Sequence, residues 1–141
     1  MPRADFYLIG KPRFESDPLL LVCELAKRCF RADKSTLILV RDQDQADLLD
    51  GRLWDFEEDA FIPHQIAGAD EDDENTPVLI VAPDIDVPDR PYIINLRDAA
   101  FRGTCERVLE VVPADPAARE PQRERWRDYK ARGFELNKYD M

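Results

Sequence analysis

Three short runs, STLILV (35–40), PVLIVA (77–82) and YIINL (92–96), constrain this chain most. Each is apolar at nearly every position and rich in β-branched side chains. A strand that alternates apolar and polar residues can leave one face in water; a strand apolar throughout must be covered on both. Such strands belong to a parallel sheet with helices above and below it.

The intervening segments fit that frame. ADFYLIG (4–10) reads as a first strand and LEVVP (109–113) as the last one. In PLLLVCELAKRCFRADK, Leu21, Leu25 and Cys29, with Val22, Ala26 and Phe30 beside them, recur at helical spacing. Asp17 is the expected N-cap, with Pro18 at the first helical position. DQDQADLLDGRLW (42–54) predicts a short helix that ends near Gly51, and RDAAFRGTCERV (97–108) a short helical piece. The tail PADPAAREPQRERWRDYKARG predicts a C-terminal helix over about 117–132, with Pro121 in its first turn and Gly133 as C-cap. The fold expected for residues 1–141 is a single α/β domain: a mainly parallel sheet flanked by helices, Rossmann-like in its alternation.

At 141 residues, 44% of them hydrophobic, the chain supports one core. No stretch approaches the roughly 20 apolar residues that span a bilayer. The N-terminus has no small-residue cleavage site, so the expectation is a cytoplasmic protein without membrane contact.

Catalytic motifs are scarce. The five glycines, Gly10, Gly51, Gly68, Gly103 and Gly133, form no phosphate-binding loop. Gly10-Lys11 follows the first strand, but Pro12 removes a donor where a phosphate cradle needs one. The lone His64 follows Pro63 in a turn-like stretch without a nucleophile elbow, and a hydrogen bond to backbone is the expected use of its ring. Cys23, Cys29 and Cys105 have no zinc-ligand spacing; Cys23 and Cys29 read as buried thiols. The acidic run Asp70, Glu71, Asp72, Asp73 and Glu74 lacks EF-hand order and reads as a solvated loop. Glu57 and Glu58 form no catalytic pair without a cleft around them. No catalytic residue, metal ligand set or cofactor is expected, and the balance tilts toward a binding or adaptor role.

The net charge is −10, yet residues 119–132 carry +3 against −13 for the remainder. On a helix, Arg119, Arg123, Arg127 and Lys130 form one stripe, with Glu120, Glu124 and Asp128 beside it and Trp126 on its other edge. Phe134 follows the Gly133 cap. Guanidiniums beside aromatic faces suit a peptide that carries carboxylates and one apolar anchor. The other use of these residues is internal: Glu120–Arg123 and Glu124–Arg127 pairs that stabilise the helix, and Trp126 and Tyr129 docking it on the core. Direct binding of single-stranded DNA by stacking is a further alternative, disfavoured by the −13 remainder. A nucleotide-binding α/β enzyme is another, disfavoured by the missing loop.

Two stretches carry a resemblance: LWDFEEDAFIPHQIAG (53–68) and RERWRDYKARGFELN (123–137). With DFYLIG and VCELA they make the chain similar, over nearly its full length, to the chi subunit family of bacterial DNA polymerase III holoenzyme. The resemblance implies a non-catalytic accessory subunit. It implies two partners: the acidic C-terminal tail of single-stranded DNA-binding protein, which ends in a phenylalanine, and the psi subunit of the clamp-loader complex. For the tail it implies Arg123 and Arg127 as carboxylate partners, Arg119 at the periphery, and Trp126, Gly133 and Phe134 around the anchor. For psi or an equivalent protein it implies Phe61, with Trp54, Ile62, Pro63 and His64 nearby. DNA would be met mostly through the complex. The acidic loop after Gly68 and the prolines at 83–91 depart from the family pattern.

Overall fold

The computed structural model describes residues 1–56, 61–68 and 73–141. The strands are β1 (Arg3–Leu8), β2 (Thr36–Leu39), β3 (His64–Ile66), β4 (Val78–Val81), β5 (Tyr92–Asn95), β6 (Arg107–Val112) and β7 (Glu135–Asp140). The helices are α1 (Pro12–Glu15), α2 (Pro18–Arg31), α3 (Gln43–Asp55) and α4 (Arg119–Ala131). One seven-stranded sheet results, in the order β3-β4-β2-β5-β6-β1-β7, and every pairing in it is parallel.

The apolar runs become strands covered on both faces. Ile38, Val40, Ile80 and Ile94 face one core with Leu21, Leu25 and Cys29 of α2 and Leu49 and Leu53 of α3. Leu37, Leu39, Leu79 and Ile93 face the other with Phe6 and with Tyr129 of α4. The single-domain α/β expectation agrees with this architecture.

Several local expectations change. Asp17 occupies the N-cap of α2 but does not cap it; its carboxylate takes both guanidinium nitrogens of Arg52, at 2.7 and 2.6 Å. That fork holds the Asp17 carboxyl below its ordinary range. Asp42 does cap α3, accepting from the Gln45 amide at 2.8 Å. Gly51 does not end that helix, which continues to Asp55 and carries Trp54 on its last turn. The short helical α1 and strand β3 were not anticipated.

The helical piece expected over 97–108 is irregular up to Arg107, where β6 begins. Its backbone groups are bound from outside instead of by one another. Asn95 holds the Arg97 amide and the Ala99 carbonyl, at 3.1 and 2.9 Å. Residues of α4 hold the carbonyl of Asp98 and the amide of Phe101. Leu109–Val112 of LEVVP lie in β6, which is not the last strand; the chain returns after α4 to add β7 beside β1. The C-terminal helix begins at Arg119, after a 3-10 turn, Pro116–Ala118, that Asp115 caps. Asp70, Glu71 and Asp72 of the acidic run, and Glu57 and Glu58, lie outside the described residues.

Candidate functional site

Helix α4 is fixed from beneath by Arg125 and Tyr129, one turn apart and both buried. They converge on Glu110 of β6, which is fully buried. Arg125 donates to Glu110 Oε1 at 2.8 Å, and the Tyr129 hydroxyl and the Asn95 amide donate to Oε2 at 2.6 and 2.8 Å. Burial pushes the Glu110 carboxyl above its ordinary range, while Arg125, Asn95 and Tyr129 pull it back. Burial and the Glu110 charge push the Tyr129 phenol up as well. The same hydroxyl accepts from the Phe101 amide at 2.8 Å, so one network joins α4, β5, β6 and the irregular segment.

With Arg125 turned inward, Arg123 and Arg127 project into solvent. They line an open groove of about 540 Å³ together with Glu120, Gln122, Trp126 and Lys138. The half-buried Trp126 ring rests on Phe6 of β1, ring centres 5.2 Å apart. Glu120 lies 3.2 Å from Arg127 and 4.0 Å from Arg123. Arg127 therefore reaches Glu120 and not Glu124, which corrects the expected helix pairing. These ions are about two-thirds exposed, so their attraction is weak and easily exchanged for another carboxylate.

The other residues assigned to this site fall elsewhere. Arg119 is exposed on the first turn of α4, outside the groove lining. Gly133 and Phe134 terminate the helix. Gly133 has φ +83°, its amide donates to the Lys130 carbonyl at 3.1 Å, and the Phe134 amide donates to the Tyr129 carbonyl at 3.0 Å. That is a Schellman ending, and the Phe134 ring supplies its apolar contact, 5.0 Å from the Tyr129 ring. The Arg132 guanidinium lies over Phe134, 4.9 Å from the ring centre.

A second surface lies at the end of α3. Trp54 and Phe61 are 60% and 53% exposed, with ring centres 5.1 Å apart. Ile62 and His64 are buried behind them and Pro63 is half-buried. His64 meets the Ile62 carbonyl at Nδ1, 2.6 Å away, and the Asp50 carbonyl at Nε2, 3.2 Å away. Its ring stands 5.4 Å from Trp54 and supports that side chain from below. Leu48, also on α3, is exposed and was not anticipated.

Lys138 was missed because the strand that carries it was missed. Arg125 was counted among the basic residues, but its position four residues before Tyr129 places both on one helix face, the only hint that it points inward.

The first βα turn offers no phosphate cradle. The amides of Gly10 and Lys11 both donate to the Met141 carbonyl, at 2.7 and 2.9 Å. In open α/β sheets ligands enter outside the carboxyl ends of the strands. There the Arg97 guanidinium already binds the carbonyls of Val40 and Val81, each at 2.9 Å. Among the described residues, no three His, Cys, Asp or Glu side chains group as metal ligands, and no helix is long and apolar enough to cross a membrane.

A family model described as DNA polymerase III chi subunit, HolC, matches residues 1–137. The chain is 35% identical over 146 residues to the DNA polymerase III subunit chi of Pseudomonas aeruginosa, covering 100% of this chain and 98% of that one. It is 35% identical over 143 residues to the subunit of the same name from Escherichia coli (strain K12), covering 97% of each. Among solved structures, the C-terminal domain of the DEAD-box protein Dbp5 superposes with a TM-score of 0.62 at 13% identity, covering 99% of this chain and 90% of that one. S. cerevisiae Dbp5 bound to RNA and ADP BeF3 also gives 0.62, at 16% identity, covering 98% of this chain and 41% of that one. At such identities these structures share the fold alone.

Proposed function

Because the chain belongs to the DNA polymerase III chi subunit family, we propose that it is a non-catalytic replisome adaptor that binds the acidic C-terminal tail of single-stranded DNA-binding protein through α4 and a clamp-loader protein, psi or its equivalent, through the Trp54–Phe61 surface. The observation that carries the reading is the α4 groove. Arg123, Arg127 and Lys138 line it together with Trp126, on a protein whose net charge is −10. An acidic peptide finds cations in the groove, while the acidic body repels long polyanions. A terminal phenylalanine offers a ring for the Trp126 wall and a carboxylate that an arginine can take in a bidentate way. Arg119 lies one turn further out and steers the acidic stretch without gripping its end. Gly133 and Phe134 act by ending α4 where Arg123, Trp126 and Arg127 are in place.

Exposed aromatic rings over a rigid support make an anchor for a protein partner. On the second surface Trp54 and Phe61 are the anchors, and Ile62, Pro63 and His64 hold them in position. In the assembled polymerase the adaptor tethers the clamp-loading machinery to protein-coated single strands, and DNA is met mostly through the complex.

The test is a titration with a synthetic acidic peptide ending in Phe, a second peptide lacking that Phe, and a bare oligonucleotide. Saturable binding that needs the Phe and weakens with salt supports the adaptor reading. Tight binding of the oligonucleotide, with a steep salt slope and no response to the peptide, overturns it in favour of a single-strand-binding module.

A further inference from the structure

Strand β7 is one of the two edges of the sheet, and its backbone groups alternate in direction. The amides of Glu135 and Met141 donate to the carbonyls of Pro2 and Leu8, at 2.9 and 2.8 Å. The Met141 carbonyl accepts from Gly10 and Lys11. Odd-numbered positions thus face β1, and Leu136, Lys138 and Asp140 turn their N–H and C=O away from the sheet. The side chains of alternate residues share a face, and here it is the α4 face: Leu136 packs against the core cluster that holds Phe6 and Tyr129, and Lys138 lines the groove. Lys138 pairs in register with Phe6, the residue on which Trp126 rests. The groove therefore opens directly onto the outward backbone of β7.

We propose that an acidic peptide seated in this groove continues along β7 as an eighth strand, its backbone pairing with the outward amides and carbonyls of Leu136, Lys138 and Asp140. This rests on the α4 groove being an acidic-peptide site and adds how the peptide is held beyond its anchor. Strand addition draws affinity from main-chain hydrogen bonds and specificity from alternate side chains. On such a strand every second side chain turns toward α4, where Arg123, Arg127 and Lys138 meet acidic groups. Glu120 within the groove and Glu135 and Asp140 at the ends of β7 oppose acidic residues, so the favourable register centres on Lys138. A lysine at an open edge also discourages two copies of the chain from pairing edge to edge.

The experiment uses the full chain and two versions of the acidic, Phe-ended peptide, N-methylated at alternate amides in the two possible registers. One register removes donors that pair with β7 and weakens binding by roughly tenfold; the other leaves it unchanged. On the protein side, Lys138→Pro removes one outward amide and spares the β1 pairing. It weakens binding several-fold beyond Lys138→Ala, which removes only the charge. Saturating peptide slows hydrogen exchange at the amides of Leu136, Lys138 and Asp140. If both N-methylated peptides bind like the parent and exchange at those amides is unchanged, the eighth strand is refuted and the groove reading stands. If the parent peptide does not bind, both fall. Should Lys138→Pro fail to fold, the two peptides decide alone.

Discussion

The two candidate surfaces are built by opposite means. The α4 groove is a charged surface on a helix bolted down by a buried polar network: Glu110, Arg125, Tyr129 and Asn95. The Trp54–Phe61 surface is an apolar one, two exposed rings supported from behind by a buried imidazole set between the Ile62 carbonyl and Asp50. Attraction between exposed charges is screened by salt, with a Debye length of about 8 Å at physiological ionic strength, whereas apolar burial is not. Under the proposed function, the first surface is a salt-sensitive grip and the second a salt-tolerant one, on separate elements.

Removing the bolt has the largest expected effect. Arg125→Ala leaves Glu110 buried without its cation, and breaking such a pair costs about 3–5 kcal/mol. Urea denaturation reads the loss, and peptide affinity falls with it because α4 loses its seat. Equal stability in the variant and the parent would show that the network is ornamental and that apolar packing alone places the groove.

Next comes a crossed pair of substitutions. Arg123→Ala weakens binding of the acidic peptide by roughly 1.5–3 kcal/mol, the scale of a hydrogen bond to a charged group, and leaves the fold intact. Phe61→Ala leaves peptide affinity unchanged and costs about 0.5–1.5 kcal/mol of stability, the scale of the aromatic pair it makes with Trp54. Calorimetric titration of both variants separates the surfaces. If Phe61→Ala abolished both interactions, Phe61 would be holding up the fold, and the division into two surfaces would collapse.

The Tyr129 phenol sharpens the contrast through pH. Its pKa is raised in the folded chain by burial and by Glu110. A group whose folded pKa exceeds its unfolded one stabilises fully below the unfolded value, about 10 for a phenol, and that contribution is lost as pH rises beyond it. Stability measured from pH 8 to 11 should therefore bend downward near the top, as free phenols ionise in the unfolded state. Tyr129→Phe flattens that bend. It also costs about 1–3 kcal/mol at neutral pH, because the Phe101 amide and the Glu110 carboxylate lose a buried partner. An unchanged bend in the variant would assign the alkaline loss to other groups, such as the buried Tyr7.

The sheet was legible because its inner strands β2, β4 and β5 are buried and nearly all apolar, a pattern few other structures tolerate. The α2 and α4 helices were legible from spacing and from Gly133. What escaped has physical reasons. Strand β7, ELNKYD, is polar because an edge strand has a solvated side, so it lacks the signal that marked the inner strands. The segment after Leu96 looks helical in composition, but α4 and Asn95 satisfy its backbone, and contacts that distant in sequence leave no local trace. The arginine–aromatic stripe was visible as a stripe. Which arginine turned inward depended on Glu110, a carboxylate hidden inside an apolar run.

The smallest expected effect concerns Glu120, and it tests whether the groove is a charged site at all. Glu120 lies against both Arg123 and Arg127, so an arriving carboxylate competes with it. Such exposed pairs are worth about 0.2–1 kcal/mol, so the competition is mild. Glu120→Gln keeps the size of the side chain and removes the charge. The acidic peptide should then bind roughly two- to fivefold more tightly, mostly through faster association, with the gain shrinking as salt is added. The partner of the Trp54–Phe61 surface should not notice. A loss of peptide affinity in Glu120→Gln would mean that the carboxylate prearranges the arginines more than it blocks them. The charge would then serve order within α4 before it serves attraction, and the two surfaces would differ less than their composition implies.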